Sequence, residues 1–261
     1  MQIRDISFDT PRENLHFDEV LLQLATKQSA GEFLRFWESP QTFIVLGRIG
    51  KENEDIYLEQ AKADHIPIVR RTSGGGTVIQ GPGCLNFTFV LDKRRHPDLA
   101  DLRKSYVWIS SKVIEALQAC GIQAIFKPIS DIALAASGKK FSGNAQHRSR
   151  QFILHHGTIL YDFNLNLISR YLKIPQDVPR YRQGRSHEEF VTNISIQPMV
   201  FKQSLASLFG LSWTAGPQKP SSQELFYLTR KQIPYKVNLL WSIYALLLKL
   251  IDFLYAKSAV T

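Results

Sequence analysis

Three stretches of this chain carry apolar residues at helical spacing, and short alternating or continuous apolar runs lie between them. Residues 14–22, beginning Asn14-Leu15-His16-Phe17-Asp18-Glu19, open an amphipathic helix with Asn14 as its N-cap and two acids in the early turns. Residues 102–120 place Val107, Ile109, Val113, Ile114 and Leu117 on one stripe, and Gly121 supplies the stop. Residues 198–209 form the third, with Pro198 in the tolerated first turn and Gly210 at the end. Residues 55–64 and 164–171 read as shorter helices. Strands are predicted at 32–38, 42–46, 66–70, 85–91, 124–126, 132–134, 140–141 and 152–162. Helices and strands mix without a βαβα rhythm. That predicts an α+β fold with a mixed, mainly antiparallel sheet flanked by helices. A last helix follows Pro234; Lys249 and Asp252 interrupt its apolar run, which falls short of the roughly 20 residues a membrane span needs. It reads as a packed terminal helix, with no stable membrane span.

Between two of the strands runs Arg70-Arg71-Thr72-Ser73-Gly74-Gly75-Gly76-Thr77. Glycines without Cβ atoms let the backbone approach a ligand and point N–H groups at it, and the flanking cations and hydroxyls suit a charged small molecule. The run lacks the Gly-Lys-Ser/Thr ending and following helix of a P-loop, and it is not a Rossmann fingerprint. Taken alone, a flexible hairpin tip explains three glycines as well; Arg70, Arg71 and Ser73 favour a site. Two further clusters join small residues to donors. One is Asp131-Ile132 followed by Lys140-Phe141-Ser142-Gly143-Asn144-Ala145, and the other is His155-His156-Gly157-Thr158. Neighbouring strand residues point to opposite faces, so at most one of the two histidines faces a site.

Composition narrows the partners. The chain has 261 residues, 44% hydrophobic and 21% charged, which fits one large domain or one domain with a small appendage. A formal net charge of +9, spread along the chain without a basic arm, supports a nucleotide or an acidic protein above nucleic acid. Two cysteines, Cys84 and Cys120, form neither a disulfide framework nor a zinc spacing, and a reducing, cytoplasmic setting is expected. The first residues carry both charge signs and no apolar run, so no signal peptide is visible.

In order, these motifs resemble the lipoate–protein ligase and octanoyltransferase family, related in fold to biotin–protein ligases. The resemblance starts with the Asn14-Leu15-x-x-Asp18-Glu19 helix and passes through Val45-Leu46-Gly47-Arg48 and the Arg-Arg-x-Ser-Gly-Gly-Gly run. It continues at Gly83-x-Leu85-Asn86-Phe87, Lys140-x-Ser142-Gly143-Asn144-Ala145 and His156-Gly157-Thr158-Ile159-Leu160, covering roughly residues 14 to 195. It implies the ligase-type catalytic fold and acyl transfer onto a lysine of a small, acidic lipoyl carrier domain, of 2-oxoacid dehydrogenases or the glycine cleavage H protein. In the ligase branch, lipoate and ATP with Mg²⁺ form lipoyl-adenylate, which the carrier lysine attacks. By position, Arg70, Arg71, Ser73, Gly74, Gly75, Gly76 and Thr77 line the acyl and phosphate site, and Lys140 is the catalytic lysine. Asp131 stands on the nucleotide side as a candidate Mg²⁺ ligand. Asn86, Ser142, Gly143, Asn144, Ala145, His156, Gly157 and Thr158 complete the walls.

Lys140 is expected to stabilise developing negative charge as a fixed ammonium and not to act as a nucleophile. The transferase branch works through a cysteine thioester, and both cysteines read as packed thiols, which favours the ligase. A cysteine-dependent octanoyl- or lipoyltransferase is the runner-up, a non-catalytic nucleotide- or lipid-binding module the third reading, and a biotin ligase a remote fourth. Residues 1–225 are expected to form the catalytic domain and 226–261 a helical extension. Roughly 60 residues follow the last shared motif, near the lower limit for a domain, so no large accessory domain is expected. The arginine-rich loop 175–189 is read as a cover for the nucleotide or a contact for the carrier, and a solvated loop is a close alternative.

Overall fold

The structure is a computed structural model that describes residues 1–28, 30–213 and 218–232; the helix expected after Pro234 lies outside the described residues. The chain divides into two units, Met1–Gln218 and Lys219–Thr261.

The first unit begins with β1 (Gln2–Asp5) and α1 (Pro11–Gln28). The cap of α1 is Thr10, which accepts the Glu13 amide at 3.2 Å and donates to the Glu13 carboxylate at 2.6 Å. This corrects the expectation for Asn14. Thr10 before Pro11 is the stronger start signal, because proline at the first position loses no hydrogen bond. Asn14 is instead fully buried, and its amide clamps both the N–H and the carbonyl of Phe8.

There follow β2 (Phe33–Trp37), β3 (Phe43–Leu46), α2 (Glu52–Asp55), α3 (Leu58–Ala63), β4 (Ile68–Arg70), β5 (Val78–Gln80) and β6 (Cys84–Asp92). Helix α4 (Leu102–Ala119) starts at Asp101, whose carboxylate accepts the Lys104 amide at 2.8 Å. Strands β7 (Ala124–Lys127), β8 (Asp131–Leu134), β9 (Lys140–Arg148) and β10 (Phe152–Leu160) precede α5 (Asn166–Tyr171), α6 (His187–Phe190) and α7 (Pro198–Ser207). In the second unit, α8 (Ser222–Gln232) opens on a reciprocal Ser221–Glu224 capping box.

Seven strands form one sheet in the order β1-β2-β6-β10-β9-β8-β7, and three form a small sheet in the order β4-β3-β5. Among the described strands only the pairs β1–β2 and β3–β4 are parallel, so the α+β, mainly antiparallel architecture is as expected. Sequence pattern read only the first two residues of β9 as strand, because Ser142, Gly143, Asn144 and Gln146 have poor strand propensity. Ladders to β8 on one side and β10 on the other satisfy that backbone and hold it extended regardless of propensity.

One face of the large sheet makes the main core. Leu34, Phe36, Phe87, Phe89, Ile153 and Phe141 pack there against Ile109, Val113 and Leu117 of α4 and Phe201 and Leu205 of α7. The opposite face carries α1 and a fully buried ion pair, in which Arg35 Nη1 reaches Asp18 Oδ1 at 2.5 Å. The Arg35 guanidinium also donates to the Ile6 and Asn14 carbonyls, and Asp18 accepts Thr88 Oγ1 at 2.8 Å.

Candidate active site

Pleating and register decide which predicted residues share a face. Asp131 pairs with Gly143, Thr158 with Asn86, and Asn86 with Trp37; the Gly143 amide reaches Thr158 Oγ1 at 3.4 Å and joins these into one row across the sheet. The next row runs Ala145, His156, Thr88, Arg35. Successive residues alternate faces, so Asp131, Gly143, Ala145, His156, Thr158 and Asn86 look out on the α1 side. The side chains of Ser142 and Asn144, and the missing side chain of Gly157, belong to the α4 side. Gly157 is required there: a Cβ would meet Asn144 Oδ1 at 2.0 Å and Phe87 Cζ at 2.4 Å. His155 also faces the core, stacked on Phe87, so the two histidines do part company as the alternation requires.

The glycine run connects β4 to β5 and crosses the end of β3 at Gly47, where a Cβ would meet the Gly75 carbonyl at 2.0 Å. Gly75 has φ +85°, a conformation that favours glycine. Arg71 is buried beneath the loop and holds its shape, donating to the Gly74 carbonyl and, at 2.7 Å, to that of Gly76. Arg70 lies outside and donates to the Gly47 and Gly50 carbonyls. Ser73 Oγ contacts His156 Nε2 at 2.6 Å, tying the loop to β10, and Thr77 Oγ1 donates to Asp55 at 2.5 Å. The amides of Gly74, Gly75 and Gly76 donate to no acceptor among the described residues, and Gly75 and Gly76 are exposed. Free N–H groups beside a buried guanidinium supply the donors of an anion cradle.

Lys140 starts β9, and its Nζ reaches Asp131 Oδ1 at 2.7 Å. Its stem lies across Gly143, where a Cβ would meet Nζ at 3.0 Å and Cε at 3.1 Å. The second Asp131 oxygen accepts Tyr181 Oη at 2.6 Å, so the arginine-rich loop reaches this end of the sheet. That loop is partly ordered into a 3₁₀ turn at Arg180–Arg182 and the capped α6, whose Ser186-x-x-Glu189 capping box is the sequence signal that could have found it. Tyr181 is a site residue that sequence reading missed; a single tyrosine among arginines carries no distinguishing pattern. The Lys140 carbonyl accepts the Thr192 amide at 2.9 Å, pinning the backbone from the loop's far end.

Residues 10–204 match the lipoyl protein ligase A/B catalytic domain, well over half of the chain. The chain belongs to this family. It is 30% identical over 189 residues to the lipoate-protein ligase LplJ of Bacillus subtilis, covering 72% of this chain and 54% of that protein. It is 27% identical over 206 residues to the octanoyltransferase LipM of Oceanobacillus iheyensis, covering 72% of this chain and 75% of that one. A solved bi-partite lipoate protein ligase of Thermoplasma acidophilum, described with its E2 lipoyl domain, superposes with a TM-score of 0.72 at 22% identity. That match covers 91% of this chain and 95% of the other. The chain spans about half the length of the curated ligases it matches.

Within this lipoyl protein ligase A/B catalytic domain, burial and neighbouring charge set how these groups titrate. Burial pushes the Arg71 guanidinium down to about 10, still protonated at neutral pH, and it ion-pairs with no carboxylate among the described residues. Burial also lowers His156, against the pull of Asp18 3.8 Å away, so the ring meets Ser73 as neutral imidazole. Burial would raise Asp18, but Arg35 and His156 outweigh it and hold the carboxyl below its ordinary range. Burial drives the thiol of Cys84 far up, and that of Cys120 up as well, the opposite of an activated nucleophile. The Asp131 carboxylate already has an internal cation, Lys140, on one oxygen and the Tyr181 hydroxyl on the other. No cluster of three or more ligating side chains occurs among the described residues. Nor is any described helix long and apolar enough to cross a membrane.

Proposed function

We propose that this chain is an ATP-dependent lipoate–protein ligase. The lipoate carboxylate attacks the α-phosphorus of ATP, forming lipoyl-adenylate and expelling pyrophosphate. A neutral amine of a carrier lysine then attacks the acyl carbon; the C–N bond forms, the bond to the phosphate oxygen breaks, AMP leaves and the amine loses a proton. Each step gathers negative charge on non-bridging oxygens. The observation that carries the reading is the pairing of Lys140, a half-shielded ammonium over Gly143, with the free amides of Gly74 to Gly76 on one side of the sheet. Fixed donors of this kind stabilise such charge without reorganising. Arg71 adds a permanent cation beneath the loop, and His156 orients Ser73 at the loop's start. Any Mg²⁺ would arrive on the nucleotide phosphates, as is usual for that ion.

The partners that suit the basic charge are acidic lipoyl carrier domains of 2-oxoacid dehydrogenases or glycine cleavage H protein. The loop that presents Arg180 and Arg185 beside Asp131 is their contact, with Arg182 buried against Phe190 to hold its shape. Lipoate-dependent exchange of pyrophosphate into ATP, assayed across lipoate, octanoate and biotin, tests the reading. Exchange with lipoate is expected. Carrier acylation from an acyl thioester with no exchange would instead support the cysteine-dependent transferase, the reading favoured by the LipM relative. The fully buried Cys84 and the half-buried Cys120, both with thiols held up by burial, argue against it, and Cys84→Ala with Cys120→Ala is expected to keep full transfer.

A further inference from the structure

Behind β9 and β10, on the face covered by α4, runs a line of polar side chains that the chemistry above does not touch. Arg148 Nη1 donates to Gln146 Oε1 at 2.9 Å, and Gln146 Nε2 meets His155 Nδ1 at 3.0 Å. His155 Nε2 meets Asn144 Oδ1 at 3.1 Å, and Asn144 Nδ2 donates to the Ser130 carbonyl at 2.8 Å. That carbonyl also takes the Asn144 amide at 3.0 Å, and Ser105 Oγ braces Gln146 from α4. His155, Asn144 and Gln146 are all buried.

The direction of every bond in this line is forced. A guanidinium only donates, so Gln146 turns its oxygen to Arg148 and its NH₂ to His155. Nδ1 of His155 therefore accepts, and the ring proton sits on Nε2, facing Asn144 Oδ1. Asn144 is left with its NH₂ toward Ser130, whose carbonyl only accepts. The donor-only end and the acceptor-only end agree, so the network has one orientation, and buried networks of this kind are rigid. Burial pushes the imidazole down to about 3, which keeps the ring neutral and the tautomer single. Gly157 leaves the space: a Cβ there would meet Asn144 Oδ1 at 2.0 Å.

The residue after Ser130 is Asp131, which holds Lys140 at 2.7 Å. We propose that His155 is a positioning residue: acting through Asn144 and the Ser130 carbonyl, it holds Asp131, and with it the Lys140 ammonium, from behind the sheet. The importance of that ammonium rests on the ligase reading; the positioning itself does not.

Two variants test this. His155→Phe keeps an aromatic ring against Phe87 and Tyr106 but removes both polar contacts, whereas His155→Gln keeps one acceptor and one donor. The first readout is pyrophosphate exchange. His155→Phe is expected to lose roughly 10–100-fold in kcat, the usual cost of removing an orienting partner, with little change in KM for lipoate. His155→Gln is expected to rescue most of the loss. The second readout needs no catalysis: the rate at which acetic anhydride acetylates Lys140 relative to Lys139, followed by peptide mass spectrometry. That ratio should rise in His155→Phe and stay at the wild-type value in His155→Gln. If wild-type protein shows no exchange, the ligase reading fails while the acetylation ratio still decides on His155. An unchanged ratio in His155→Phe, or equal changes in both variants, overturns the proposal. Should His155→Phe not fold, Gly157→Ala displaces Asn144 from the other side and must raise the same ratio.

Discussion

Asp18 and Arg35 meet under α1 with side chains 2% and 0% exposed, while Asp131 and Lys140 meet on the same sheet face with 9% and 26% exposed. The first pair is saturated. Arg35 spends its donors on Asp18, Asn14 and the Ile6 carbonyl, and Asp18 also takes Thr88. Three aromatic rings, Phe8, Phe17 and Trp37, close over the guanidinium. Such a pair is shut away from solvent and tethers α1 to β2 and β6. The second pair is held by one ion pair and one tyrosine at the edge of a loop, so its members can exchange an internal partner for a ligand of the same charge. The same two charge types therefore form a rivet in one place and, in the proposed reading, a reactive pair in the other. Solvent access and spare hydrogen-bonding capacity make the difference.

The largest break in that contrast is expected from Asp18→Ala. It strands Arg35 in the core and should cost about 3–5 kcal/mol in chemical denaturation, the range for a buried charge deprived of its partner. A loss below about 1 kcal/mol would remove the rivet. Lys140→Ala should invert the pattern, with a fall of about 10²–10³ in carrier lipoylation and a near-wild-type melting temperature, beside a Lys139→Ala control that stays active. Carrier modification untouched by Lys140→Ala would point instead to a non-catalytic binding module.

Acid sharpens the comparison further. His155 has a folded pKa near 3 against 6.5 unfolded, so as pH falls below 6.5 the unfolded chain takes a proton that the folded chain refuses. His155 should contribute a fall of about 1.4 kcal/mol per pH unit between those values, beside falls of the same sign from His156 and His187, and His155→Gln should make the slope shallower by that share. The Asp18 carboxyl, held below 3.8, keeps its contribution above that pH and loses it only further into acid. A flat stability profile from pH 7 to 4.5 would refute the histidine assignment. The smallest effect is expected from Tyr181→Phe: about 1 kcal/mol of stability, measured by denaturation, for one hydrogen bond to Asp131.

Much of this was legible before any coordinates. The stripe of Val113 and Leu117, the stop at Gly121 and the aromatic alternation around Phe87 and Phe89 belong to elements whose pattern and packing agree. The reading failed where local preference and tertiary context disagree. Three-residue β5 is too short to show a period, and most of β9 has a loop-like composition. Asn14 looks like a cap but is a buried bracket for Phe8 and Arg35.

Residue types and spacing by themselves determined the fold class and the family, because these depend on local periodicity and ordered motifs, and they singled out Lys140, Asp131 and the glycine run as the candidate set. Only the tertiary structure decided which members of those motifs share a face. Pleat and register send Gly143, Ala145, His156 and Thr158 toward the glycine loop, and turn Ser142, Asn144 and His155 into the scaffold behind it. A two-residue period is visible in one strand, but the face it serves is set by what packs against the sheet.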